Sequence, residues 1–129
     1  MKLVEIDAKQ NDFVIRYSEV SSGTDVLIKD ALQKFLDSGK KRLILDLRSN
    51  PGGSLFETKN ILNYFIAKGL PMMTLKYPRL ETTTFATDDP MTDWSKYEIV
   101  ILINHDTASA AEVIASALQE YFPKNVALI

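Results

Sequence analysis

Residues 104–118 read Asn-His-Asp-Thr-Ala-Ser-Ala-Ala-Glu-Val-Ile-Ala-Ser-Ala-Leu, directly after an apolar run, Ile-Val-Ile-Leu-Ile, at 99–103. The run suits a buried strand, the polar residues after it a short turn, and the alanines a helix start. Ser109 sits at this junction, three residues before Glu112. A serine there is well placed as a nucleophile, because the helix dipole and the free N–H groups of a first turn favour developing negative charge. Ala108, Ala110 and Ala111 leave room for a substrate backbone. Ser-x-x-Glu is equally the pattern of a capping box, in which the serine serves only its own helix. These residues alone leave both readings open.

A second segment, Arg-Leu-Ile-Leu-Asp-Leu-Arg-Ser-Asn-Pro-Gly-Gly at 42–53, has the same plan. Residues 43–47 form a short apolar run, and Asn50-Pro51-Gly52-Gly53 breaks it. Paired glycines adopt backbone conformations that other residues avoid, and can aim N–H groups at an anion or carbonyl oxygen. Alone this is an ordinary tight turn. Beside a serine-led helix start, it reads as the other half of an oxyanion hole.

In this order the two segments resemble motifs of the tail-specific, or C-terminal processing, serine peptidases. That family carries a strand ending in D-L-R-x-N-P-G-G, here 46–53, and later a strand ending in V-N-x-x-[ST]-A-S-A-[SA]-E, here 103–112 with Ile103 in the first place. Residues 13–17 and the helix from Thr24 look like the family's first core strand and helix, so the resemblance covers nearly the whole chain. It implies an α/β fold with a Clp/crotonase-like core of repeated strand–helix units. It implies acyl-enzyme hydrolysis of protein or peptide substrates without metal or cofactor, in the cell envelope or another extracytoplasmic setting. Residue by residue, Ser109 matches the nucleophile, and Ala110 supplies one oxyanion-hole N–H. Gly52 or Gly53 supplies the other, with Gly52 favoured, and Glu112 has a supporting role. The family's general base is a lysine following the next strand. Here that strand is 126–129, so the matching lysine falls beyond Ile129, and the PDZ-like domain has no counterpart. The expectation is a single peptidase-core domain over 1–129, an incomplete part of a larger protein and a poor peptidase by itself. His105 reads as a solvent-facing loop residue, and Lys124 as a complement to the preceding helix's C-terminus.

Composition agrees with a folded domain. The chain has 129 residues, 46% hydrophobic, enough for one core. A formal charge of −2 gives no electrostatic reason to expect nucleic acid. With no cysteine and one histidine, disulfides and thiolate metal sites are excluded and a structural zinc site is disfavoured. Asp88, Asp89 and Asp93 do not have calcium-loop spacing. No apolar stretch approaches membrane-spanning length.

The remaining pattern gives a hairpin of strands at 3–6 and 13–17, and helices at 24–38 and 54–68. It gives strands at 72–77 and 81–85, a loop anchored by Trp94 and Tyr97, and a helix at 108–122. Strand–helix alternation predicts a mostly parallel sheet with sites beyond its carboxyl ends, where both motifs fall. The strand at 126–129 is expected at an exposed edge able to pair with a second copy. Two other readings stand beside the peptidase. One is a non-catalytic peptide-binding module on a protease-like scaffold; the other is a crotonase-type acyl-CoA enzyme, which needs no serine at 109.

Overall fold

The computed structural model describes residues 4–129. Strands β1 (Val4–Lys9) and β2 (Asp12–Tyr17) form the expected hairpin, turning tightly at Gln10 and Asn11. Leu3, the expected start of the first strand, lies outside the described residues. Helix α1 (Thr24–Asp37), strand β3 (Arg42–Asp46) and helix α2 (Leu55–Asn63) follow. Then come β4 (Pro71–Tyr77), β5 (Leu80–Phe85), a 3-10 turn at Trp94–Lys96, β6 (Glu98–Leu102), α3 (Ala110–Tyr121) and β7 (Val126–Leu128).

The main sheet has the order β1-β2-β3-β6-β7, parallel except for β1. Each parallel step crosses over through a helix, so the carboxyl ends of β2, β3, β6 and β7 share one end of the sheet. The register Asp46↔Leu102 between β3 and β6 then makes the turns after those two strands neighbours in space. Alternation along the strands buries Phe13, Ile15, Leu43, Leu45, Ile99 and Ile101 in a single core with the helices. Val14, Ile44 and Val100 on the other face are only half-buried.

Strands β4 and β5 lie outside the main sheet and pair with each other as a separate antiparallel hairpin. One expectation is corrected. Helix α2 stops at Asn63 instead of continuing to Lys68, although Phe65 and Ile66 remain buried. The carbonyl of Tyr64 is taken by the later loop, accepting from Met91 N–H at 3.0 Å and Trp94 Nε1 at 2.8 Å. A captured carbonyl cannot serve the next helical turn.

Trp94 is buried against Phe35 and Phe65, with ring centroids 6.3 and 4.6 Å away. It holds the irregular loop to the core and ends α2 at once. Trp94→Ala is expected to cost about 3–5 kcal/mol in urea unfolding, the range for a buried aromatic removed without refilling.

Candidate active site

Backbone contacts between the turns after β3 and β6 build the site. Leu47 N–H donates to the Leu102 carbonyl at 2.9 Å, and the buried Thr107 hydroxyl donates to the Leu47 carbonyl at 2.7 Å. Asn104 Oδ1 accepts from Ser49 N–H at 2.8 Å, and Ala108 N–H donates to the Asn50 carbonyl at 3.0 Å. Asn50 is fully buried; its side-chain amide donates to the Tyr17 carbonyl at 2.6 Å and its Oδ1 accepts from Gly52 N–H at 2.9 Å. One asparagine thus ties together the end of β2 and the glycine turn.

The glycines are there because nothing larger fits. A Cβ on Gly52 would lie 2.7 Å from both the Ala108 oxygen and the Ala110 nitrogen, and 2.8 Å from Ser109 Cβ. On Gly53 it would lie 1.9 Å from the Val20 oxygen.

Ser109 occupies the elbow between β6 and α3 with φ 53° and ψ −123°, a conformation L-residues rarely adopt. Such strain costs on the order of 1–3 kcal/mol and persists only where the surroundings enforce it. Here the neighbouring bonds Ala108 N–H to Asn50 and Val113 N–H to the Ser109 carbonyl hold it. The side chain is exposed and makes no capping hydrogen bond. The capping-box reading of Ser109 and Glu112 is therefore not realised. The positive φ departs from the extended backbone in which an N-cap side chain meets its helix. That extended conformation belongs instead to Ser54, whose Oγ accepts from Glu57 N–H at 3.2 Å at the start of α2.

Ser109, Ala110 and Gly53 border one cleft of about 710 Å³. The Ala110 and Gly53 N–H groups have no hydrogen-bond partner among the described residues. Of the two glycines offered by the resemblance, with Gly52 favoured, the Gly52 N–H donates to Asn50 Oδ1 at 2.9 Å. Glu112 is exposed and stands between this cleft and a neighbouring pocket of about 350 Å³, which contains His105. His105 is 89% exposed, faces Asp106 at 3.5 Å and does not line the Ser109 cleft. Lys124 is at the opposite end of the sheet, where the Asn125 carbonyl accepts from Ile99 N–H at the start of β6.

Asp46, which the motif contains but whose part sequence reasoning missed, braces the turn after β3. Buried at the end of β3, it accepts from Arg48 N–H at 3.1 Å, Nε at 2.9 Å and Nη2 at 2.8 Å, with Arg16 at 3.4 Å. The only sequence signal is an Asp two residues before an Arg at a strand end. The hydrogen bonds from Arg48 hold its carboxyl below the usual carboxylate range. Stability from a depressed acid is present above that range and is lost as pH falls through the folded value. Asp46→Asn should therefore cost about 1 kcal/mol at neutral pH, discounted for the exposed arginines. In unfolding measured against pH, the gap to the parent should close below roughly pH 4.

Two glycines of positive φ separate close approach from backbone conformation. Around Gly69, with φ 89°, no atom lies within 4 Å of the point a Cβ would occupy. Gly69→Ala should cost about 1 kcal/mol, from backbone conformation alone. Gly53→Ala should cost about 3 kcal/mol or more because it meets a backbone oxygen. Thermal unfolding of the two variants side by side gives the difference.

Residues 13–126 match Peptidase family S41. The "Probable CtpA-like serine protease" of Staphylococcus aureus (strain COL) is 35% identical over 121 residues, covering 94% of this chain and 24% of the relative. That of Staphylococcus epidermidis is 32% identical over 126 residues, 98% of this chain and 26% of the relative. The chain thus spans about a quarter of the curated relatives it matches. Among solved structures, a photosystem II D1 C-terminal processing protease superposes with a TM-score of 0.82 at 22% identity, over 99% of this chain and 36% of that one. The shared architecture is the Clp/crotonase-like fold.

Proposed function

We propose that this chain, which belongs to peptidase family S41, carries the nucleophile and oxyanion hole of a serine peptidase acting on protein or peptide substrates. One observation carries the reading. A strained, exposed serine opens onto the same cleft as two backbone N–H groups, and none of these has a hydrogen-bond partner among the described residues. In this role Ser109 Oγ attacks the scissile carbonyl, and the resulting oxyanion accepts from Ala110 and Gly53 N–H. The tetrahedral species collapses to an acyl-enzyme as the amine leaves with a proton. Water then attacks the ester, releasing the acid and restoring the serine. Glu112, at the cleft rim, supports the site without taking part in bond making.

The proton on Ser109 needs an acceptor, and no lysine or histidine among the described residues lines the cleft. We assign the general base to residues that follow β7 in a longer chain. The carboxyl end of β7 is close by, since Ile103 N–H donates to the Ile129 carbonyl at 2.9 Å. An extracytoplasmic setting accompanies this reading. The same lack of a base favours one alternative for residues 1–129 by themselves, a peptide-binding module that does not turn over.

The test pairs fluorophosphonate labelling with peptide cleavage. The 129-residue chain should cleave very slowly, and His105→Ala should leave that rate unchanged. In a form extended past β7, Ser109→Ala should lower kcat by about a thousandfold or more. Robust turnover by the short chain that vanishes in His105→Ala would overturn the assignment and make this a Ser–His enzyme.

A further inference from the structure

We propose that the cleft along α3 is an extended-peptide groove in which the free edge of β4 pairs with the substrate backbone and Glu120 selects a basic side chain about five residues from the scissile bond. The proposal rests on the reading of Ser109 as the nucleophile.

The first support is β4 itself. Among the described residues it pairs only with β5, so its other edge carries backbone donors and acceptors that no described strand satisfies. Successive strand side chains point to opposite faces, yet Met72, Met73, Thr74 and Leu75 all border the cleft. Met72 falls at a register shift of the hairpin, whereas Met73, Thr74 and Leu75 pair in regular register, and residues from both faces of a regular strand reach one space where the strand presents its edge to it. An edge-on strand facing a nucleophile suits an added peptide strand, with main-chain hydrogen bonds for affinity and side-chain seats for specificity.

The second support is α3, the opposite wall. Ser109, Glu112, Ser116 and Glu120 recur at helical spacing and all line the cleft, so one polar stripe runs along the groove. Val113 and Ala117 lie beside the stripe and, with Met73 and Leu75, give the floor apolar character. The Tyr121 hydroxyl donates to the Pro71 carbonyl, tying the far end of α3 to the start of β4 and fixing the width there.

The third support is charge. Among the described residues, the charged ones lining the groove are Glu112 and Glu120, with no cation. An acidic wall over an apolar floor fits a substrate with apolar residues near the cut and a positive charge further along. From Ser109 to Glu120 is eleven helical residues, roughly 16 Å at 1.5 Å per residue. An extended peptide covers that in about five residues. Both side chains are exposed to solvent, so the selection is modest, about two- to fivefold in affinity.

The experiment reads binding, so it does not depend on turnover. The Ser109→Ala protein is titrated with fluorescent peptides that have an apolar centre and Lys, Gln or Glu about five positions to either side. On one side the order Lys, then Gln, then Glu is expected, with Glu120→Lys reversing it and high salt flattening it. Hydrogen exchange should slow at β4 amides that do not face β5. Peptides that bind without slowing β4, that ignore charge on both sides, or that do not bind at all would overturn the groove. Fluorophosphonate labelling of the unmodified serine, in the form extended past β7, separates the two readings. Labelled Ser109 with a charge-blind groove leaves the peptidase reading and sinks this one. An unlabelled Ser109 in that extended form, with a charge-selective, β4-protected complex, sinks the peptidase reading and leaves the groove as a peptide-binding site without a scissile bond.

Discussion

The site depends on the approach of the Gly52 backbone to the elbow at Ala108, Ser109 and Ala110, so close that a single methyl group at Gly52 would sit 2.7 Å from two backbone atoms. This contact exists because β3 and β6 are adjacent and in register, with Asp46 opposite Leu102. Strands pairing in parallel end at the same level, and the turns that follow them must share the space above. Glycine lets two turns occupy it where larger residues would force them apart.

That proximity organises the polar groups. Asn50, Thr107 and Asp46 are buried at the end of the sheet, where unpaired polar atoms would be costly. Each is satisfied by partners from the turns around it, and among the described residues no buried side-chain polar atom lacks a partner. A fully bonded network of this kind is stiff. Its stiffness lets Ser109 stay in a conformation that an isolated turn would relax. The strain is held at the residue whose hydroxyl makes no structural bond, which connects the packing to the chemistry.

The β4–β5 hairpin contributes differently. Because it stands outside the main sheet, it leaves an open space beside α3 rather than closing the layer. The inner strands of the main sheet have partners on both sides; β4 has one. The cleft therefore comes from a departure from the regular strand–helix repeat, with Tyr121 tying the start of β4 to α3.

Much of this was legible in the sequence. The apolar runs at 43–47 and 99–103, the glycine turn and the alanine-rich helix start are local signals, and local propensity formed the elements they predicted within a residue or two. Alternation of strands and helices was enough to put both motifs at the carboxyl ends of a parallel sheet and so to bring Ser109 toward the glycines. The sequence could not distinguish the Ser-x-x-Glu pattern at Ser54, which caps a helix, from the one at Ser109, which does not. It could not reveal that Asn50 would curl back and consume the Gly52 N–H, leaving Gly53, or that Tyr64 would surrender its carbonyl to Trp94 and end α2 early. Those outcomes turn on atoms distant in sequence competing for the same hydrogen bond. Sequence therefore determined which elements form and at which end of the sheet they meet. Tertiary structure alone decided which donors remain free, because that depends on which neighbours arrive in space.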